Sequence, residues 1–116
     1  MLQNLLRETE ECLEMYGKTS ADVRWVGSSD ISMTWEDFVT CANIEYDDGY
    51  GSAEVAEDLK IVGDGWWLER YEDDGFEWWQ FKQLPVKPAR EGKNLKLIRD
   101  FKKNQWTSSL LELNSR

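Results

Sequence analysis

Three glutamates, Glu69, Glu72 and Glu77, fall close together in the chain, beside Trp67 and Trp78. Carboxyl groups next to indole rings are the equipment of a glycosidase: one acid protonates the leaving oxygen, another serves as base or nucleophile, and the rings stack on the sugar. A chain of 116 residues is small for a substrate cleft, and carboxylates facing solvent from a strand explain these glutamates without chemistry. Asp47-Asp48-Gly49-Tyr50-Gly51-Ser52 sets acids beside glycines, as calcium loops do. It lacks the alternating oxygen ligands and the distal glutamate of an EF-hand, so it reads as a solvated charged turn, and no metal is expected. The absence of histidine removes Ser-His and Cys-His nucleophile pairs and the commonest zinc ligand. No glycine-rich phosphate loop is present. Cys12 and Cys41 have neither metal-ligand spacing nor the makings of a disulfide framework; each falls in an expected helix and reads as a buried reduced thiol. The expectation is a protein that is not an enzyme and carries no cofactor.

The elements that position these side chains centre on Ile61 to Phe81, IVGDGWWLERYEDDGFEWWQF, which holds four of the seven tryptophans. Aromatic and β-branched runs separated by Gly63-Asp64-Gly65 and Asp73-Asp74-Gly75 predict an antiparallel meander. Upstream, Leu2, Leu5, Leu6, Leu13 and Tyr16 have helical spacing, closed by Gly17 as C-cap. Asp22 to Val26 alternates as a strand with Val23 and Trp25 on one face. Ser28-Ser29-Asp30 is a turn. Thr34 with Asp37 resembles a capping box, opening a second helix through Trp35, Phe38, Val39 and Ala42 that ends near Tyr46. Residues 53–58 are expected to make one or two helical turns. The fold expected is α+β: two N-terminal helices with a strand between them, packed on a meander of about three to four strands, plus a C-terminal basic segment.

Alternation along the meander divides its side chains. With a two-residue turn at Asp74-Gly75, Leu68 lies opposite Phe81 and Arg70 opposite Trp79, giving an apolar side suited to the helices. Trp67, Tyr71 and Trp78 then occupy the reverse side with Glu69, Gln80 and Lys82. A turn one residue longer would exchange the partners. The second aromatic set is either covered, by the loop before the meander or by the C-terminal segment, or it is an exposed platform of the kind that marks interaction sites.

Net charge is -9, and it is unevenly placed. Residues 1–81 carry 20 acidic and 5 basic side chains, a net of -15, while residues 82–116 carry 3 acidic and 9 basic, a net of +6. Pro85 and Pro88 stand at the crossing, so the chain divides into an acidic α+β domain, 1–86, and a basic segment, 87–116, docked on that domain or on a partner subunit. In the segment, Leu95 and Leu97 alternate like a strand, while Ile98, Phe101 and Leu110 suit a helix; Trp106 lies between. An acidic domain repels phosphates, so direct nucleic-acid binding by it is not expected. A protein with a basic surface is the natural partner, and a homodimer through the C-terminal segment is a further expectation. No apolar run approaches the ~20 residues of a membrane span, and the start MLQNLLRETEE lacks the pattern of a secretory signal.

The words Val62-Gly63-Asp64-Gly65-Trp66-Trp67-Leu68-Glu69-Arg70, Asp74-Gly75, Glu77-Trp78-Trp79 and Phe81-Lys82 resemble the signature of small uncharacterised proteins encoded by phages and prophages of Gram-positive bacteria. Gly17-Lys18-Thr19, Trp25-Val26-Gly27 and residues 45–51 are similar to that family as well, so the resemblance spans about residues 1 to 88. It implies a bacterial host cell, whose cytoplasm is the compartment expected from the missing span and signal patterns, and a function like that of anti-CRISPR proteins, which disable host defence complexes. The partner expected is a CRISPR effector or other host nuclease complex, inhibited by exclusion of nucleic acid. The residues assigned to that contact are Asp47, Asp48, Trp67, Glu69, Tyr71, Glu72, Asp73, Asp74, Glu77 and Trp78. Other readings are a homo-oligomeric phage structural or assembly module, and a small carbohydrate- or nucleotide-binding module using the aromatic face.

Overall fold

The computed structural model describes residues 2–49, 51–99 and 109–115. The chain is α+β with antiparallel sheets, and it divides into two compact units, Met1–Pro85 and Val86–Arg116. In the first, strand β1 (Leu2–Asn4) leads into helix α1 (Leu5–Met15), followed by strands β2 (Val23–Gly27) and β3 (Ser32–Met33), helix α2 (Trp35–Ala42) and strand β4 (Glu45–Asp47). Strands β5 (Lys60–Gly63), β6 (Trp66–Asp73) and β7 (Phe76–Gln83) complete it. The main sheet has five strands in the order β3-β2-β5-β6-β7, and β1 pairs with β4 in a second, two-stranded sheet.

The expected meander is therefore the larger part of a wider sheet. Strand β2, between the helices in sequence, pairs antiparallel with β5, and the turn at Ser28 brings β3 back against it. The β6–β7 register is that of a two-residue turn, Leu68 opposite Phe81 and Arg70 opposite Trp79. Asp74 (φ +53°) and Gly75 (φ +88°) both take the left-handed backbone that such a turn needs, which Gly and Asp tolerate best.

Across the sheet, Val26, Ile61, Leu68 and Phe81 pair strand by strand on one face, and the first three are fully buried. Each is worth about 1.5–3 kcal/mol of burial. Helices α1 and α2 cover this face with Leu5, Leu13, Phe38 and Ala42. Tyr16 stacks on Phe81 at 4.3 Å between centroids, and the Trp66 indole sits against Gly63, where any Cβ would collide with it.

Both helix ends follow from local chemistry. The Gly17 and Lys18 amides donate to the carbonyls of Glu14 and Leu13, a Schellman closure, and Thr34 Oγ1 accepts the Asp37 amide at 3.1 Å. Other boundaries differ from expectation. Leu2 lies in β1, outside α1 and exposed, and α2 ends at Ala42 rather than near Tyr46; in both places the chain is taken up by β1–β4 pairing, Gln3 against Tyr46. Residues 53–58 form no helix; the Glu54 and Val55 amides donate to the Glu77 carboxylate. A β-bulge between Val23 and Trp25 places them on opposite faces, Val23 against the core and Trp25 outside. Cys12 is half-buried, but Cys41 is exposed on α2, contrary to the buried thiol expected there.

In the second unit, residues 86–99 have no regular structure and helix α3 (Leu110–Leu113) is one turn, capped by Ser109. The Asn114 side chain accepts the Lys96 amide at 2.8 Å and donates to the Lys96 carbonyl. Phe101 and Trp106 lie outside the described residues. No helix among the described residues is long and apolar enough to cross a membrane.

Candidate functional site

Beneath the β6–β7 hairpin, on the side covered by α1, lies a charged cluster that the sequence pattern does not announce. Arg70, its side chain 4% exposed, donates to Glu77 Oε1 at 2.9 Å, to the Tyr46 hydroxyl at 3.0 Å and to Glu8 Oε1 at 3.5 Å. Its guanidinium also lies 4.7 Å from the centre of the Trp79 ring, and Trp79 Nε1 donates to Thr9 Oγ1 at 2.9 Å. Part of the signal is in the sequence, where alternation opposes Arg70 and Trp79 on the apolar side. What alternation lacks is the anion that makes such a position tolerable, and it comes from Glu77 and, across the chain, Glu8. Burial pushes the Glu8 carboxyl above the usual range, against the lowering effect of Tyr46 and Arg70. The Tyr46 hydroxyl is raised by burial and by its 2.6 Å hydrogen bond to Glu8.

Glu77 therefore does not belong to an exposed acidic surface. It is 3% exposed, and its oxygens accept from Arg70 and from the Glu54 and Val55 amides. The physical reason is strand parity: Glu77 shares a face with Trp79 and Phe81, so an even register directs it inward.

The opposite face of the same strands is open. Trp25, Val62 and Trp67 are neighbours across β2, β5 and β6; Lys60, Glu69 and Gln80 form the next row; Tyr71 pairs with Trp78 toward the hairpin end. The core draws no residue from this side. Tyr71 is 43% and Trp78 38% exposed, their rings 5.0 Å apart and tilted by 57°. Trp67 is half-buried, fixed by a 2.7 Å hydrogen bond from its indole N–H to Glu69 Oε1. Trp25 and Val62 extend the surface beyond the three aromatic residues expected from β6 and β7, because the bulge in β2 turns Trp25 outward.

Acidic residues gather at the hairpin end. Glu72, Asp73 and Asp74 are exposed, and a Glu72 oxygen accepts the Gly75 amide at 2.8 Å. The loop after β4 docks beside them: the Asp48 carbonyl accepts the Glu77 amide at 3.0 Å, and a Cβ on Gly75 would lie 3.0 Å from the Gly51 carbonyl. Asp47 and Asp48 are thereby brought near the turn they were expected to join. Asp47 is engaged with the Gly49 amide, which lowers its pKa, and Asp48 accepts from the Gln3 side chain at 3.0 Å. Of the ten assigned residues, then, Glu77 lies beneath the sheet; Trp67, Glu69, Tyr71, Asp73 and Trp78 share the open face; and Glu72, Asp74, Asp47 and Asp48 surround the turn.

Chemically, the open face and the turn can stack, hydrogen-bond and attract cations. Glu69 projects from one face and Glu72 and Glu77, opposite each other across the strands, from the other; Glu77 is engaged by Arg70 and the Glu54 and Val55 amides, and Glu72 by the Gly75 amide. Among the described residues, no group of Asp, Glu, Cys or His is arranged to hold a metal ion. No family model, curated protein or solved structure matches this chain.

Proposed function

We propose that this protein is a non-catalytic, acidic interaction module that binds a basic surface of another protein through its β6–β7 hairpin, and that the surface it covers is a nucleic-acid-binding site of a host nuclease or CRISPR-type complex. The observation that carries the reading is the juxtaposition at the hairpin end. The exposed Tyr71–Trp78 pair stands beside Glu72, Asp73 and Asp74, on a sheet face from which the core draws nothing. Aromatic anchors ringed by charge are the usual composition of binding hot spots, and a net of -15 over residues 1–81 speeds encounter with a cationic groove. The resemblance of the WWLER and EWW words to phage-encoded proteins supports the choice of a host complex as target; it is analogy, and the charge distribution is the physical part.

The test is capture from bacterial lysate by the immobilised full chain at low and high salt, followed by a nucleic-acid-binding assay on what is captured. The expected result is a nucleic-acid-processing complex that is retained at low salt, loses its nucleic acid in proportion to bound protein, and is not captured by Asp73→Lys. Capture that is indifferent to salt and to Asp73→Lys, or a captured complex that still binds nucleic acid, contradicts the reading.

A further inference from the structure

Strand β7 is an edge of the main sheet, and its outward backbone groups can be identified. The Glu77 amide points away from β6, since it donates to the Asp48 carbonyl, whereas the Leu84 amide points inward, to the Gly65 carbonyl. Antiparallel pairing alternates, and the β6–β7 register is unbroken from Trp66–Gln83 to Asp73–Phe76. The amides and carbonyls of Trp79 and Phe81 therefore also point outward. The Glu77 amide is taken by Asp48, and no backbone hydrogen bond between described residues engages the outward amides and carbonyls of Trp79 and Phe81. The stretch from Trp79 to Gln83 has no bulge and no proline, two of the devices by which edges are usually blunted.

This edge borders a groove of about 700 Å³. Its far wall is α1, which contributes Glu8, Glu11, Met15 and Tyr16, and its near wall is residues 78–82. Side chains of a strand laid along β7 would alternate between two environments. One set would point toward the carboxylates and apolar side chains of α1, the other toward Trp78 and Gln80 on the open face.

We propose that the β7 edge receives an extended basic segment of a partner protein as an added strand, with lysine or arginine directed at the exposed Glu11 and alternate residues directed elsewhere. The same edge of a second copy is the less suitable occupant, because residues 1–81 would bring a net charge of -15 and the same acidic wall against this one. Main-chain hydrogen bonds would supply affinity and the acidic helix face the selectivity, as in other cases of strand addition. The proposal rests on the reading that the partner is basic, but it concerns a surface distinct from the hairpin end.

Amide hydrogen exchange on the full chain tests it, with an acetylated, amidated peptide alternating lysine with valine as the probe and its glutamate counterpart as control. The lysine peptide should slow exchange at Trp79 and Phe81 at least tenfold and leave Trp78 and Gln80, which already donate to β6, nearly unchanged. Glu11→Lys should weaken the peptide about tenfold, while Asp73→Lys should not. Several results would overturn the proposal: no alternation, equal protection by the glutamate peptide, amides at Trp79 and Phe81 already slow in the free monomer, or protection that appears with protein concentration alone and so identifies a second copy. Loss of partner capture in Asp73→Lys without edge protection would sink this inference and leave the hairpin reading standing.

Discussion

Trp78 and Trp79 are adjacent in sequence and belong to the same strand, yet they meet opposite surroundings. Trp79 is 6% exposed, hydrogen-bonded to Thr9 and stacked with the Arg70 guanidinium; Trp78 is 38% exposed and touches one aromatic neighbour across the strand. The carboxylates divide in the same way, Glu77 within a buried ion pair and Asp73 in solvent. A hairpin of this kind separates two tasks that are usually spread over different elements. On its covered side Glu8, Arg70, Glu77 and Trp79 are committed to one another and to the fold, while its open side is spared from the core, so its residues can be chosen for a partner.

The largest effect should come from breaking the covered side. Arg70→Met leaves Glu77 and part of Glu8 buried without their cation, and removal of one member of a buried pair costs about 3–5 kcal/mol. Urea unfolding should register that loss with an unchanged m-value. A loss below about 1 kcal/mol would mean that water or rearrangement satisfies Glu77 and that the covered face is not held by this ion pair.

A smaller effect sharpens the same contrast through pH. Because the Glu8 pKa is raised in the folded state, chiefly by burial, the native state holds its proton to higher pH than the unfolded state does. Its contribution to stability is then full below the unfolded pKa and is lost as pH rises through the folded one. Glu8→Gln cannot ionise, so its melting temperature relative to wild type should rise between pH 4 and pH 8, by less than the Arg70→Met substitution lowers it. A difference that is flat across that range would place Glu8 in a more hydrated position than the cluster implies.

Much of this arrangement is legible in the sequence. Asp74-Gly75 between aromatic runs sets the turn, the turn sets the register, and the register sorts Leu68, Arg70, Trp79 and Phe81 from Trp67, Tyr71 and Trp78. The same parity places Glu77 inward; composition alone puts it with the surface acids, since a carboxylate on a hairpin is usually solvated. What alternation cannot supply is the partner of a buried charge. Glu8 and Tyr46 reach Arg70 from α1 and β4, and no periodicity links those positions. The bulge that turns Trp25 outward is equally silent, because one extra residue in a strand leaves the sequence pattern of an ordinary alternation. Leu2 and Tyr46 read as helical because apolar spacing at a helix end does not distinguish one more turn from a short strand.

The most direct measurement of the central claim is a side-by-side comparison of Trp78→Ala and Trp79→Ala in the full chain, each assayed for unfolding free energy and for salt-sensitive partner capture. Trp79→Ala should lose about 3–5 kcal/mol, as large-to-small changes in cores do. Trp78→Ala should lose only about 0.5–1.5 kcal/mol from its aromatic pair, remain folded, and lose capture. Equal destabilisation by the two substitutions, or full capture by a folded Trp78→Ala chain, would contradict the division of the hairpin into a fold-bearing and a binding face.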